Sequence, residues 1–182
     1  MSTEKKIANP APLGLLGFGM STILLNLHNL GVIPLSIVII AMGIAMGGLA
    51  QFVAGIFEFK SGNLFGATAF TAYGCFWWSL IIILWTPFGQ SADAQSKGWY
   101  LLFWGLFTFM MFIGTLKHNT SSKVIFLSLA ILFILLAIGD FSANELITKF
   151  AGLVGIFCGL VACYSSTAQV INNEFGKKVL PL

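Results

Sequence analysis

The chain has 182 residues, 58% of them hydrophobic and 8% charged, with nine lysines, no arginine and six acids for a net charge of +3. Soluble domains carry roughly 25% charged residues, so a water-soluble globule is excluded, and so sparse and dispersed a positive charge excludes a nucleic-acid-binding surface. About six spans of roughly 20 residues fit this length with nothing left for a soluble domain, which predicts one six-helix transmembrane domain over residues 1–182.

Six apolar segments follow in order: Ala11 to Gly31, Ile37 to Phe57, Leu64 to Trp85, Trp99 to Leu116, Ser121 to Gly139, and Leu146 to about Gln169. The first opens on Asn9-Pro10-Ala11-Pro12-Leu13-Gly14-Leu15, where proline suits a helix's first turn. Lys5 and Lys6 precede the prolines without a small-residue cleavage site, so no signal peptide is expected. Phe18, Ser21, Thr22, Leu25, Asn26 and Asn29 recur at three- and four-residue spacing, giving one helix face a polar stripe with one aromatic. In hydrocarbon such groups must find partners or line water.

The second segment carries Gly43, Gly47, Gly48 and Gly55, and the sixth carries Ala151, Gly155 and Gly159. Small residues at these spacings let helix backbones approach, within a subunit or between subunits. In the third segment Trp77 and Trp78 read as packing residues against lipid or a neighbouring subunit. The loop after it holds Pro87, Gly89, Asp93 and Lys97, bracketed by Trp85, Trp99 and Tyr100 as an interfacial belt. Cys75, Cys158 and Cys163 lie in apolar runs at spacings that fit neither a zinc site nor a redox pair.

An even number of spans puts both termini on one side. Lys5, Lys6, Lys60, Lys117, Lys123, Lys177 and Lys178 flank that side and only Lys97 and Lys149 the other, which predicts cytoplasmic N- and C-termini. Asn9, Asn63 and Asn119 precede the odd-numbered spans at steps of 54 and 56 residues, as a three-fold repeat of helix hairpins would require. Helix capping by asparagine explains the same spacing. Phe18, Tyr73 and Leu129 each lie nine or ten residues beyond their asparagine and so at one depth.

No Asp or Glu lies in the middle of a span, and the only histidine on one is His28, near the outer end of the first. A proton relay made of protein side chains is therefore poorly supplied. No metal-ligand spacing or catalytic set is present, and no cofactor is expected; for an intramembrane enzyme, Ser21, His28 and a distant acid such as Asp140 would have to meet in space. Neutral donors remain: Thr22, Asn26 and Asn29 on the first span, Gln51 on the second, Thr68, Thr71 and Tyr73 on the third, Ser128 on the fifth. Such groups hold a carboxylate loosely enough to release it, whereas a buried lysine would trap it. The helix starts at Asn9 and Asn63 add partial positive charge at the cytoplasmic mouth. Each donor alone reads equally as a residue bonding its own helix backbone.

The opening Asn9 to Leu15 motif resembles the signature of the acetate uptake transporter family. The resemblance extends through Gly17-Phe18-Gly19-Met20, Leu25-Asn26-Leu27-His28-Asn29, Ala41-Met42-Gly43, Gly47 to Gln51, Thr68-Ala69-Phe70-Thr71 with Tyr73-Gly74, and the tail Asn173 to Gly176 with Val179-Leu180-Pro181. It implies a plasma-membrane homo-hexamer passing acetate and related small carboxylates, succinate among them, through each subunit. It further implies that Phe18, Tyr73 and Leu129 form the narrow point, and that Ala162 tunes carboxylate size. The outer loop is shorter than in close bacterial members, which puts vestibule contacts in question. Rival readings are an ammonia or ammonium pathway, a membrane-embedded enzyme and a non-transporting sensor; ammonium would call for mid-span carboxylates or an aromatic cage.

Overall fold

The computed structural model describes residues 7–86, 89 and 91–182. Lys5, Lys6 and Pro87 of the sequence reading lie outside the described residues. Among the described residues, six helices are long and apolar enough to cross a membrane: α1 Ala11–Asn29, α2 Ile37–Lys60, α3 Leu64–Trp85, α4 Ala94–Lys117, α5 Thr120–Ser142 and α6 Glu145–Glu174. The fold is all-α, with no strand among the described residues. Two boundaries differ from the apolar pattern. Helix α4 starts at Ala94 because Asp93 caps it, accepting from the Ser96 amide at 2.8 Å, and α6 runs on to Glu174 beyond the apolar stretch. Bonds from Ser96, its side chain first and then its amide, hold the Asp93 carboxyl below the usual range.

Asn63 and Asn119 serve as caps, whereas Asn9 stands one residue before Pro10, the cap of α1, yet still bonds a first-turn amide. Asn9 Oδ1 accepts from the Ala11 amide at 3.1 Å, Asn63 Oδ1 from Gly66 at 3.2 Å and Asn119 Oδ1 from Ser122 at 2.8 Å. Each satisfies a first-turn N–H that has no partner within its helix.

The helices close a ring in chain order. Helix α1 packs on α2 and α6, α2 on α3, α4 on α5 and α5 on α6; the α3–α4 seam is aromatic, with Tyr73 against Trp104 and Phe107 and Phe76 against Tyr100. Outward faces remain apolar, as at Phe103, Met110, Phe150 and Phe157, because lipid is their solvent.

Glycine sets how closely the ring closes. Residues Gly43–Ala50 of α2 form a π-helical stretch, a wider turn found mostly in short pieces at functional places. Three carbonyls in and just before it take side-chain donors: Met42 from Ser21 Oγ at 3.2 Å, Ile44 from Trp78 Nε1 at 3.3 Å and Gly47 from Gln51 Nε2 at 2.8 Å. Trp77 lies across Gly43 and Gly47 and is 2% exposed. It is a core residue, not the lipid- or subunit-facing one that its apolar setting suggested, because the missing glycine side chains leave a slot for its ring. A Gly47 Cβ would stand 2.5 Å from that ring. Gly47→Val is therefore expected to cost about 1–3 kcal/mol by overpacking, read as a lower thermal midpoint in detergent; an unchanged midpoint would mean the ring has room to retreat.

On α6, the small residues pack against α1 of the same chain. Gly159 fits against Ile23 and the Gly19 carbonyl, and Gly155 receives the Asn26 side chain. Packing within one subunit accounts for both stripes of small residues.

Candidate functional site: two cavities in series

Two cavities enter the ring from opposite ends. The first, about 160 Å³, opens where α1, α3 and α5 begin, and its polar lining includes Gln51, Glu58, Asn63, His118, Asn119 and Gln169. The second, about 100 Å³, opens at the other end and is lined by Thr22, Asn26, Asn29, Lys97, Asp140 and Thr148 among others. Phe18 and Leu129 line both, and Tyr73 lines the first beside them. The cavities thus abut at an apolar ring of three large side chains, 6%, 3% and 3% exposed for Phe18, Leu129 and Tyr73. The Phe18 and Tyr73 ring centroids are 6.3 Å apart.

Helical phase explains which residues reach this axis. On α1 the lining positions are Ala11, Leu15, Phe18, Thr22, Leu25, Asn26 and Asn29; of the stripe read from the sequence only Ser21 lines neither cavity, bonding the Met42 carbonyl instead. On α3, Gly66, Ala69 and Tyr73 face the first cavity, so Thr68 and Thr71 are rotated away and line neither. The Thr71 methyl fills the space left by Gly55 on α2, and its hydroxyl bonds the Ala67 carbonyl of its own helix. On α5, Ser122, Ile125, Phe126 and Leu129 face inward, and Ser128, one position off that face, donates to the Val124 carbonyl at 2.6 Å instead. Ala162 is fully buried and lines neither cavity. Asn9 stands at the rim, its Nδ2 donating to Gln169 Oε1 at 3.0 Å; Gln169 lines the cavity and Asn9 does not.

Inside the second cavity, Asn26 Nδ2 donates to the Thr22 carbonyl at 2.8 Å while Asn26 Oδ1 accepts from Asn29 Nδ2 at 3.0 Å. Gly155 makes room for this amide, so a small residue on α6 positions a polar one on α1. Thr22 Oγ1 is buried with no partner within the protein. Trp77 Nε1, on the facing helix, is likewise without one. Both side chains line the cavity. Unpaired buried donors are rare because each forfeits its hydration, and a cavity able to hold a polar guest is where they are tolerated.

The Tyr73 hydroxyl does not face the cavity as a free donor. It lies 2.8 Å from Thr108 Oγ1 on α4, and Thr108 donates its own proton to the Trp104 carbonyl at 2.7 Å. The Tyr73 proton is therefore committed to Thr108, and the ring, not the hydroxyl, is what Tyr73 presents to the axis.

Sequence reasoning passed over several lining residues. Glu58 is 2% exposed; its Oε2 accepts from Asn63 Nδ2 at 2.9 Å and Ser61 Oγ at 3.3 Å, while Oε1 has no partner. It lies just past the apolar segment that ends at Phe57, a place where sequence does not mark a carboxylate as buried. Lys97 and Asp140 pair at 2.9 Å in the second cavity from opposite ends of two different helices, a meeting that no sequence spacing announces.

The sequence matches the family described as GPR1/FUN34/yaaH over residues 1–181. The chain is 52% identical to the succinate-acetate/proton symporter SatP of Escherichia coli over 97% of its own length and 96% of that protein. It is 36% identical to the ammonia transport outward protein 2 of Saccharomyces cerevisiae, covering 93% of this chain and 64% of that one. The solved structure of the bacterial acetate channel SatP superposes with a TM-score of 0.95 at 52% identity, covering 97% of this chain and 99% of the other. With its six apolar helices closed around two cavities, this multi-pass membrane protein belongs to the GPR1/FUN34/yaaH family.

Proposed function

We propose that this protein conducts acetate and related small carboxylates, succinate among them, along the axis of each subunit in the plasma membrane. The observation that carries this reading is the series arrangement: two cavities, each with polar groups set in a largely apolar wall, share Phe18 and Leu129, with Tyr73 alongside. Large apolar side chains at a narrow point exclude hydrated ions by dewetting, while neutral donors beside it replace lost water. Thr22 Oγ1 and Trp77 Nε1 are the donors left free on one flank. On the other, α3 and α5 begin at the cavity wall, and their first turns contribute partial positive charge. The names of the 52% identical symporter and channel support the substrate class.

Labelled acetate flux into proteoliposomes, with and without a pH gradient, tests it. Uptake above that of protein-free liposomes is expected, and its absence would overturn the reading. The yeast relative's name favours ammonia as a second substrate; an ammonium gradient in the same vesicles separates the two, since an ammonia path would move pH without moving acetate. The homo-hexamer is proposed on the family resemblance and is checked by the mass of the detergent-solubilised particle.

Both termini are proposed to be cytoplasmic. A cysteine introduced at either end is expected to resist an impermeant thiol reagent applied to intact cells and to react once the cells are opened. Labelling in intact cells would reverse the orientation.

A further inference from the structure

The second cavity contains a charge arrangement that the neutral-path account does not use. Lys97 stands in the first turn of α4, in register with the Asp93 cap, its amide donating to the Asp93 carbonyl at 3.0 Å. Asp140 stands near the end of α5. The Lys97 ammonium meets Asp140 Oδ1 at 2.9 Å, with side chains 35% and 16% exposed. Asp140 Oδ2 is buried without a partner. Among the described residues, these are the only two charged ones that line this cavity. The neutral side chains Asn26, Asn29 and Thr148 complete the polar wall.

A carboxylate held at one oxygen while the other is desolvated and unpaired is incompletely satisfied, since a buried pair repays its desolvation only when its remaining lone pairs are bonded. Lys97 keeps further N–H donors and partial exposure to the cavity. Chemically, Asp140 presents to Lys97 the same group that an entering acetate would. An unopposed lysine would attract substrate and hold it; a lysine already carrying an internal carboxylate attracts weakly and lets go.

Resting on the carboxylate-transport reading, we infer that Lys97 is an anion-capture residue of this cavity and that Asp140 is its built-in competitor. An entering carboxylate exchanges with Asp140 on the Lys97 ammonium, and Asp140 reclaims the lysine as the substrate moves on toward Phe18 and Leu129. The pair sets substrate affinity at this mouth; neither residue belongs to the apolar ring.

The test measures acetate Kd by titration of the purified protein in detergent and zero-trans acetate uptake in proteoliposomes. Asp140→Asn frees the lysine: Kd and KM are expected to fall about tenfold, as one charge-assisted hydrogen bond supplies. The maximal rate falls as release slows, and added chloride raises Kd again by screening and competition. Lys97→Gln is expected to raise Kd. A salt bridge that only holds α4 to α5 would give the opposite pattern, both variants losing stability and rate with Kd moving the same way or not at all. Because Lys97→Gln leaves a carboxylate without its cation, Lys97→Gln combined with Asp140→Asn serves as the folded reference without either charge. Its Kd should lie about tenfold above that of Asp140→Asn alone, and equal values would overturn the inference. If the parent moves acetate no faster than empty liposomes, the transport reading fails and this inference with it. A transporting parent whose two single variants shift Kd together, or not at all, overturns this inference alone.

Discussion

Leu129→Ala and Phe18→Ala proteins are expected to pass lactate that the parent excludes. The two side chains are the ones that line both the 160 Å³ and the 100 Å³ cavity, with Tyr73 beside them in the first. Truncation removes most of an apolar wall, and discrimination by one or two methylenes in such a pocket is worth about tenfold or more. The ratio of lactate to acetate uptake should rise by at least about that factor. Folding is the competing loss, since emptying a buried leucine or phenylalanine costs about 2–5 kcal/mol; only protein that elutes as a single particle should be assayed. Tyr73→Phe is the matched control. It removes the bond to Thr108 and about 1 kcal/mol of stability but leaves the ring at the axis, so the lactate-to-acetate ratio should hold. Folded Leu129→Ala and Phe18→Ala proteins with the parent's acetate rate and the parent's rejection of lactate would place the narrow point elsewhere.

A large stability effect is expected at Asn63. Its side chain has two tasks at once, accepting from the Gly66 amide as the cap of α3 and donating to Glu58 Oε2 at 2.9 Å. Glu58 is buried and its other oxygen is already without a partner. Asn63→Leu therefore removes a cap worth about 1 kcal/mol and further exposes a buried carboxylate to an apolar wall, together about 2–4 kcal/mol. Asn119→Ala, which loses only its bond from Ser122, should cost about 1 kcal/mol. Thermal midpoints in detergent compare the two. Adding Glu58→Gln to Asn63→Leu should recover part of the loss, because an amide costs less to bury than a carboxylate. Equal midpoints for Asn63→Leu and Asn119→Ala, with no recovery in the double variant, would show that the Glu58 bond contributes nothing.

Much of the protein's organisation is legible without coordinates. Composition alone requires a membrane as solvent. The apolar runs, broken by asparagine, proline and glycine, locate six spans to within a few residues, and the caps at Asn63 and Asn119 act where the sequence places them. The first helix is the most readable: its polar stripe is periodic, and Phe18, Thr22, Asn26 and Asn29 all line the axis.

Elsewhere the periodicity fails as a guide. A helix facing lipid on one side and other helices on the rest is apolar nearly all round, so its inward face is not marked by contrast. Thr68, Thr71 and Ser128 are donors by residue type, yet helical phase takes all three off the cavities, and Thr71 and Ser128 bond carbonyls of their own helices. Which way they turn depends on where Gly55 leaves a gap and on which face Tyr73 and Leu129 occupy. The hydroxyl of Tyr73 is decided by Thr108, 35 residues away, and the burial of Trp77 by two glycines on another helix. Glu58 and the Lys97–Asp140 pair complete the list, since a charge near a helix end looks interfacial until the ring closes around it. The sequence by itself determined the solvent, the number of spans and the face of α1, because those follow from transfer free energy and local capping. Only the tertiary structure decided which polar groups meet the axis, because that depends on how closely glycine-lined helices approach one another.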